Sequence, residues 1–343
     1  MTRRRDGGGG DLGGSAVRVG TVGVGSLGYH HARILRNVPG AEHAGVFDIR
    51  PERAATVAAE LGVRALPSLG ALLDGADAVT VAAPTPAHYE VAKAALERGR
   101  HVLIEKPLAT TLAEADDLIA TARRTGALVQ TGHVERFNRA VRAALPYIAE
   151  PRFIESDRLA PFSPRGSDVA VVLDLMIHDI DLVRAIVGGQ VTALAAVGVP
   201  VLTPSVDIAN ARLTFDSGAV ANITASRVSR ERLRKLRIFQ RSGYLSLDLA
   251  QGGGEFYRLR HDLDPDELSK APQELLAFVD RIPLDAPEGE PLRLEIESFV
   301  AALRGARPVA ASGEDGREAL AVALRIVAEI ERAMPALSGA HGA

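Results

Sequence analysis

The sequence predicts an α/β protein. A doubly wound parallel sheet comes first, then an α+β part built on a large, open, mostly antiparallel sheet. Three observations carry this. Up to Thr131, short apolar runs alternate with helix-length amphipathic segments, the pattern of repeated β-α units. A glycine-rich turn, Gly23-Val24-Gly25-Ser26-Leu27-Gly28, joins the first run to the first helix. From Val191 onward, apolar residues recur at every second position between short turn signals.

The chain has 343 residues, enough for two domains, and 47% of them are apolar. A net charge of −3 supplies no broad cationic field for nucleic acid. With no cysteine, disulfides and thiolate metal sites are excluded. No apolar run approaches the ~18 residues needed to span a bilayer. Residues 1–15 begin with an arginine cluster but continue into glycines, without the apolar centre of an export signal, and read as a flexible tail. A cytoplasmic protein is the expectation.

The expected strand Ala16 to Val22 runs into the glycine turn and a helix over Tyr29 to Val38. Gly23 allows a tight turn, Gly25 lets a pyrophosphate approach the backbone, and Gly28 lets helix and strand pack closely. The N–H groups around Ser26, Leu27 and Gly28 face the phosphates. A second strand, His43 to Phe47, ends in Asp48, 20 residues beyond Gly28. A carboxylate there accepts from the ribose hydroxyls and repels a 2′-phosphate, so NAD is preferred to NADP, although Arg50 stands close. The alternative is that Asp48 only caps the helix Pro51 to Leu61.

A short helix (Ser68 to Leu73), a strand (Asp77 to Ala82), a helix (Ala87 to Arg98), a strand (His101 to Ile104), a helix (Thr111 to Arg124) and a strand (Ala127 to Thr131) complete this Rossmann-type region. Thr85 and His88 are placed near the ribose or nicotinamide, though His88 reads equally as a surface residue. Glu105-Lys106-Pro107 follows a buried strand, so Glu105 and Lys106 are delivered to the sheet end where such folds bind ligands.

After Gly132 the pattern changes. Expected next are a helix over Glu135 to Ile148, a strand over Arg152 to Leu159 and a polar loop holding Arg165. One helix should then span Val169 to Val187. It is apolar almost all round, as a buried helix is, apart from Asp174, His178 and Asp181 at i, i+4 and i+7. Buried charge requires a partner. Either Asp174 and His178 form a structural pair, or Asp174 holds the imidazole while His178 takes a proton from a hydroxyl.

In the antiparallel region Ala209, Ala211, Leu213 and Phe215 share a face with Ala221, Ile223 and Ala225. Asn210, Arg212, Thr214, Asn222, Thr224 and Ser226 take the opposite, polar face. Residues 262–291 are expected as a loop around a short helix, Glu274 to Arg281. Helices over Arg293 to Arg304 and Glu314 to Met334 close the chain. The expected parts are thus 1–15 tail, 16–133 dinucleotide domain, 134–290 substrate and assembly domain, and 291–334 terminal helices.

Taken together, the glycine turn, Glu105-Lys106-Pro107 and Asp174-Leu175-Met176-Ile177-His178-Asp179-Ile180-Asp181 resemble the Gfo/Idh/MocA family of sugar oxidoreductases. The likeness extends over almost the whole chain after residue 15. It implies NAD as cofactor, Lys106 and His178 on the hydroxyl being oxidised, and Asp174 supporting His178. It also implies homodimers or homotetramers formed through the exposed sheet face. Met176 stands where glycine is frequent in the family, and a bulky side chain there would reshape the pocket.

Gly132 to Asn138, Arg158 to Phe162 and Arg165 to Val169 resemble the branch acting on UDP-sugars. This implies substrate contacts from Asn138, Arg158 and Arg165, the two arginines pairing a pyrophosphate. The implied reaction oxidises the 3-hydroxyl of UDP-N-acetylglucosamine, giving a keto sugar for an aminotransferase in lipid A synthesis. His178 is assigned as the base and Lys106 as the stabiliser of the alkoxide, with Lys106 as base if burial lowers its pKa. The competing readings are a dehydrogenase of a free polyol such as inositol and a dinucleotide-dependent regulator without turnover. A metal hydrolase has too few ligands on that helix face.

Overall fold

A computed structural model describes residues 16–163, 169–259 and 279–334. The chain divides into two units: one runs to Val134 and takes in Glu290–Leu320, the other comprises Glu135–Gly289 and the chain from Ala321.

The first unit alternates strand and helix: β1 (Val17–Val22), α1 (Ser26–Leu35), β2 (Ala41–Phe47), α2 (Pro51–Leu61), α3 (Leu69–Gly75), β3 (Ala78–Val81), α4 (His88–Glu97), β4 (His101–Glu105), α5 (Leu112–Thr125) and β5 (Val129–Gly132). Its five strands are all parallel, in the order β2-β1-β3-β4-β5. The chain therefore reverses its winding between β1 and β3, and the carboxyl ends of those strands form the crevice where such sheets take ligands.

Local chemistry sets the helix limits. Pro51 opens α2, and Gly62 closes it in the left-handed region at φ 64°. Thr111 and Glu114 form a reciprocal capping box at the start of α5. The first helix starts at Ser26, earlier than the sequence pattern places it, so Gly28 lies inside its first turn.

The second unit begins with a 3₁₀ turn ending at Phe137, then α6 (Arg139–Ala144), a second 3₁₀ turn (Leu145–Tyr147) and β6 (Phe153–Leu159). The single helix expected over Glu135 to Ile148 is thus broken. Asn138 adopts ψ 135° and its side chain accepts from Ala140 N, starting a fresh helix, and Pro146 lies in the closing turn. The helix expected over Val169 to Val187 is also not uniform. A π-helical turn at Val172–Met176 precedes α7 (Ile177–Val187). The i, i+4, i+7 stripe assumed a uniform 3.6-residue turn, and the wide turn changes the register of Asp174 against the rest.

Strands β7 (Val191–Val199), β8 (Ile208–Phe215), β9 (Val220–Ser226), β10 (Leu233–Gln240), β11 (Gly243–Asp248), β12 (Gly253–Leu259) and β13 (Val279–Leu284) join β6 in an eight-stranded sheet ordered β13-β12-β11-β10-β6-β9-β8-β7. Only β6 and β9 run parallel. The apolar face predicted for β8 and β9 is buried throughout. Ser226, expected on the polar face, is buried as well, and its Oγ accepts from Val228 N and lies 2.9 Å from Ser229 Oγ.

Residues 279–281 are strand, not helix: β13 pairs with β12 from Leu259↔Val279 to Gly254↔Leu284. The ion pairs Arg258–Asp280 and Arg281–Glu255 cross between these two strands. Residues 274–278 lie outside the described residues.

Two helices complete the chain, α8 (Pro291–Leu303) and α9 (Gly313–Ala333). Ile296, Phe299, Val300 and Leu303 of α8 share one core with Val17, Val19, Ile34, Leu35, Ala78 and Leu103, so this late segment is part of the dinucleotide unit. The division between the units falls within α9.

Candidate active site

The turn between β1 and α1 shows why its glycines are needed. Gly23 has φ 79°, and a Cβ there would stand 2.8 Å from the Ala83 backbone at the end of β3. A Cβ on Gly28 would stand 1.8 Å from the Gly23 carbonyl oxygen. Gly25 is different: nothing lies within 4 Å of the position its Cβ would take. Two glycines allow close packing, and the third keeps a space open at the helix N-terminus. No side chain caps α1. The first-turn N–H groups of Ser26, Leu27 and Gly28 have no intrahelical acceptor and suit an anion.

Asp48 closes this loop from below. One carboxylate oxygen accepts from Val24 N at 2.9 Å, the other from Arg50 N at 2.9 Å and from Arg50 Nε at 3.3 Å. Burial pushes its pKa up, but the donors from Arg50 and Val24 outweigh it and leave the carboxyl below its ordinary value. It is not merely a cap for α2, whose N-cap residue is Arg50, because it ties the end of β2 to the glycine loop. A carboxylate accepts up to about four hydrogen bonds, so these three donors leave capacity for about one more, from a ribose hydroxyl. Open space at Gly25, bare helical N–H groups and a fixed carboxylate together fit a dinucleotide.

Strand β4 ends at Glu105, with Lys106 half-buried just beyond it and the Lys106–Pro107 peptide cis. Two residues placed beside the cofactor by the sequence are engaged otherwise. Glu105 is buried, with Oε1 2.9 Å from Nε2 of His31 on α1. His88 is 1% exposed, with Nδ1 2.9 Å from the Pro107 carbonyl and Nε2 2.8 Å from the Ala83 carbonyl. It is not a surface residue: its two ring nitrogens face backbone carbonyls. Thr85 is half-buried in a 3₁₀ turn, Thr85–Ala87.

In the second unit Asp174 lies in the π turn and His178 in the first turn of α7, both half-buried. The residues beside them are held by a buried network. Arg158 donates from Nε to Asp179 at 2.6 Å and from Nη1 to Glu135 at 2.9 Å. Ser156 donates to Asp179 at 2.9 Å, and Arg136 grips Asp181 with two nitrogens, at 2.8 and 2.6 Å. Burial opposes the charge on Arg158, but Asp179 and Glu135 outweigh it and raise its pKa.

Three expectations change here. Arg158, predicted to meet a pyrophosphate, is 3% exposed and neutralises two carboxylates. Asn138, predicted on the substrate, caps α6 and donates to Glu135 and to the Leu249 carbonyl. Met176, expected to reshape the pocket, is fully buried in the core. Arg165 lies outside the described residues. Asp181 belongs to the predicted stripe but serves Arg136. The sequence reading missed Glu135, Arg136, Asp179 and His31. Three acids on an apolar helix already required cationic partners, and His31 is a polar residue on the buried stripe Gly28, His31, Ala32, Leu35 of α1.

Residues 17–133 match the model of the oxidoreductase family with an NAD-binding Rossmann fold, and residues 148–246 match the GFO/IDH/MocA C-terminal domain. The chain belongs to the Gfo/Idh/MocA family. It is 39% identical over 92% of its length to UDP-N-acetylglucosamine 3-dehydrogenase of Acidithiobacillus ferrooxidans, covering 97% of that protein. A solved structure of that enzyme superposes with a TM-score of 0.85, covering 92% of this chain and 98% of that one. Scyllo-inositol 2-dehydrogenase of Bacillus subtilis is 32% identical over 62% of this chain and 68% of its own. This Gfo/Idh/MocA member is therefore an NAD-dependent dehydrogenase acting on a sugar-type hydroxyl. Among the described residues no helix is long and apolar enough to cross a membrane.

Proposed function

We propose that the protein oxidises the 3-hydroxyl of UDP-N-acetylglucosamine to a ketone. The observation that carries this is 39% identity across 97% of an enzyme of that specificity. Asp48, the N–H groups of Ser26 to Gly28 and the space at Gly25 hold NAD. When bound, NAD accepts the hydride from the carbinol carbon. Lys106 faces the substrate oxygen and stabilises its developing negative charge. His178 takes the hydroxyl proton at a ring nitrogen, and Asp174 orients the imidazole. The buried pairs Arg158–Asp179 and Arg136–Asp181 fix the helix that carries His178.

The product is a 3-keto sugar, suited to a following transamination as in lipid A synthesis, and the enzyme works on the cytoplasmic pool of nucleotide sugars. Self-association uses the sheet face where Phe153, Phe239, Tyr244 and Tyr257 form a continuous row with centroids 5.7, 5.3 and 4.7 Å apart. Such a face supports a homodimer or homotetramer.

The test is NADH formation with a panel of UDP-sugars and polyols. UDP-N-acetylglucosamine should be the best substrate, and Lys106→Ala should abolish turnover while NAD still binds. A second reading, an inositol-type dehydrogenase, is favoured by the scyllo-inositol 2-dehydrogenase likeness. Turnover of inositols but not UDP-sugars would establish it, and no turnover of any compound would favour a regulator.

A further inference from the structure

We propose that Glu105 and His31 set the charge of the Lys106 ammonium, and that His88 holds the backbone that carries it. All three act as positioning residues. The inference rests on the role just given to Lys106 and adds the groups that make that lysine effective.

Glu105 immediately precedes Lys106 and is 7% exposed. Its carboxyl occupies a niche made by Gly132, its partner on β5, where a Cβ would stand 3.0 Å from the carboxyl carbon. From α1, fully buried His31 places Nε2 2.9 Å from Oε1. Burial alone would raise the pKa of Glu105. The hydrogen bond from His31, helped by the charge of Lys106, outweighs it and holds the carboxyl below its ordinary value.

An ionised carboxylate only accepts, so His31 donates through Nε2. Its Nδ1 is buried without a hydrogen-bond partner. A second ring proton there would be a buried donor with no acceptor, which is costly. The pair therefore keeps its negative charge next to Lys106.

His88 acts on the other side. Its Nε2 lies 2.8 Å from the Ala83 carbonyl, after β3, and its Nδ1 2.9 Å from the Pro107 carbonyl, directly after Lys106. The lysine is thus flanked by Glu105, fixed through its side chain, and Pro107, fixed through its backbone. The groups facing Glu105 are His31 from α1, His88 from α4 and Lys106 itself, with Gly132 of β5 against its carboxyl.

The test follows Lys106 directly. The full chain, without substrate, is labelled with trace acetic anhydride across a pH series, and acetylation of Lys106 is read by mass spectrometry. Removing a neighbouring negative charge disfavours the ammonium, so Glu105→Gln should move the half-point of labelling down by about one pH unit, a tenfold rise in free amine at a given pH below it. His31→Ala should move it the same way by less, and His31→Asn, which restores a donor, should return it toward the wild type. In turnover, the pH profile of kcat/KM should move by the same amount.

A purely structural role would lower melting temperature and kcat without moving the labelling half-point. Coincident labelling curves for Glu105→Gln and wild type would overturn the proposal. If Glu105→Gln does not fold, the His31 pair decides alone: equal curves for His31→Ala and wild type overturn it. Labelling needs no sugar, so a shifted curve without UDP-sugar turnover would retain this inference and remove the substrate reading.

Discussion

Arg158 holds Asp179 with two nitrogens, Nε at 2.6 Å and Nη2 at 3.2 Å, inside the second unit. Its remaining nitrogen serves Glu135, and all three residues are buried. Removing one partner of such a set leaves charge uncompensated and typically costs about 3–5 kcal/mol. Arg158→Met should therefore lower the urea midpoint sharply. Combining it with Asp179→Asn and Glu135→Gln should recover most of the loss, because no bare charge remains. A single variant as stable as wild type would show that the network carries no net energy.

The glycine loop separates a folding role from a binding role. At Gly28 an added methyl group would overlap the Gly23 carbonyl oxygen, whereas at Gly25 it would meet nothing within 4 Å. Gly28→Ala should depress the melting temperature strongly. Gly25→Ala should depress it far less yet weaken NAD binding at least about tenfold, since its methyl fills the space left for the pyrophosphate. Calorimetric titration of both variants with NAD checks this, and unimpaired binding by Gly25→Ala would move the cofactor elsewhere.

Asp48 bears on the choice of cofactor. Its carboxylate holds the side chain of Arg50, which is otherwise 65% exposed. Asp48→Ala removes the acceptor for the ribose hydroxyls and frees that guanidinium. NAD affinity should fall about tenfold or more while NADP affinity falls less or rises, since Arg50 can then meet a 2′-phosphate. Titrating the variant with each nucleotide gives the ratio, and an unchanged ratio would place the ribose away from Asp48.

These outcomes bear on what a sequence makes legible. The first unit was readable because its signals are local: a strand, a glycine turn and a carboxylate at a set distance define the β1–α1–β2 unit. The eight-stranded sheet was readable from the period-two pattern of β8 and β9. Asn138, Arg158 and Glu105 were read as ligand contacts because a polar residue in a motif suits a ligand and a buried partner equally well. The partner that decides lies far along the chain: Asp179 is 21 residues from Arg158, and Glu105 is 74 from His31. Strand β13 was hidden for the same reason, since its pairing with β12 overrode the local pattern.

His43 on β2 places Nε2 3.3 Å from Thr21 Oγ1, while its Nδ1 is buried without a partner. Burial, helped by the positive charge of Arg36, lowers its pKa from 6.5 to about 4. Above pH 6.5 both folded and unfolded chains carry a neutral ring, and the group contributes no pH dependence. Between 6.5 and about 4 the unfolded chain takes up a proton that the folded chain refuses, so stability falls with pH, and below that range the loss is complete. The window corresponds to roughly 3 kcal/mol. His43→Gln removes this titration and leaves every carboxylate in place. The difference in unfolding free energy, wild type minus variant, should therefore shrink by roughly that amount between neutral pH and about pH 4. Stability curves that stay parallel over this range would mean that the imidazole protonates in the folded sheet as readily as in the open chain.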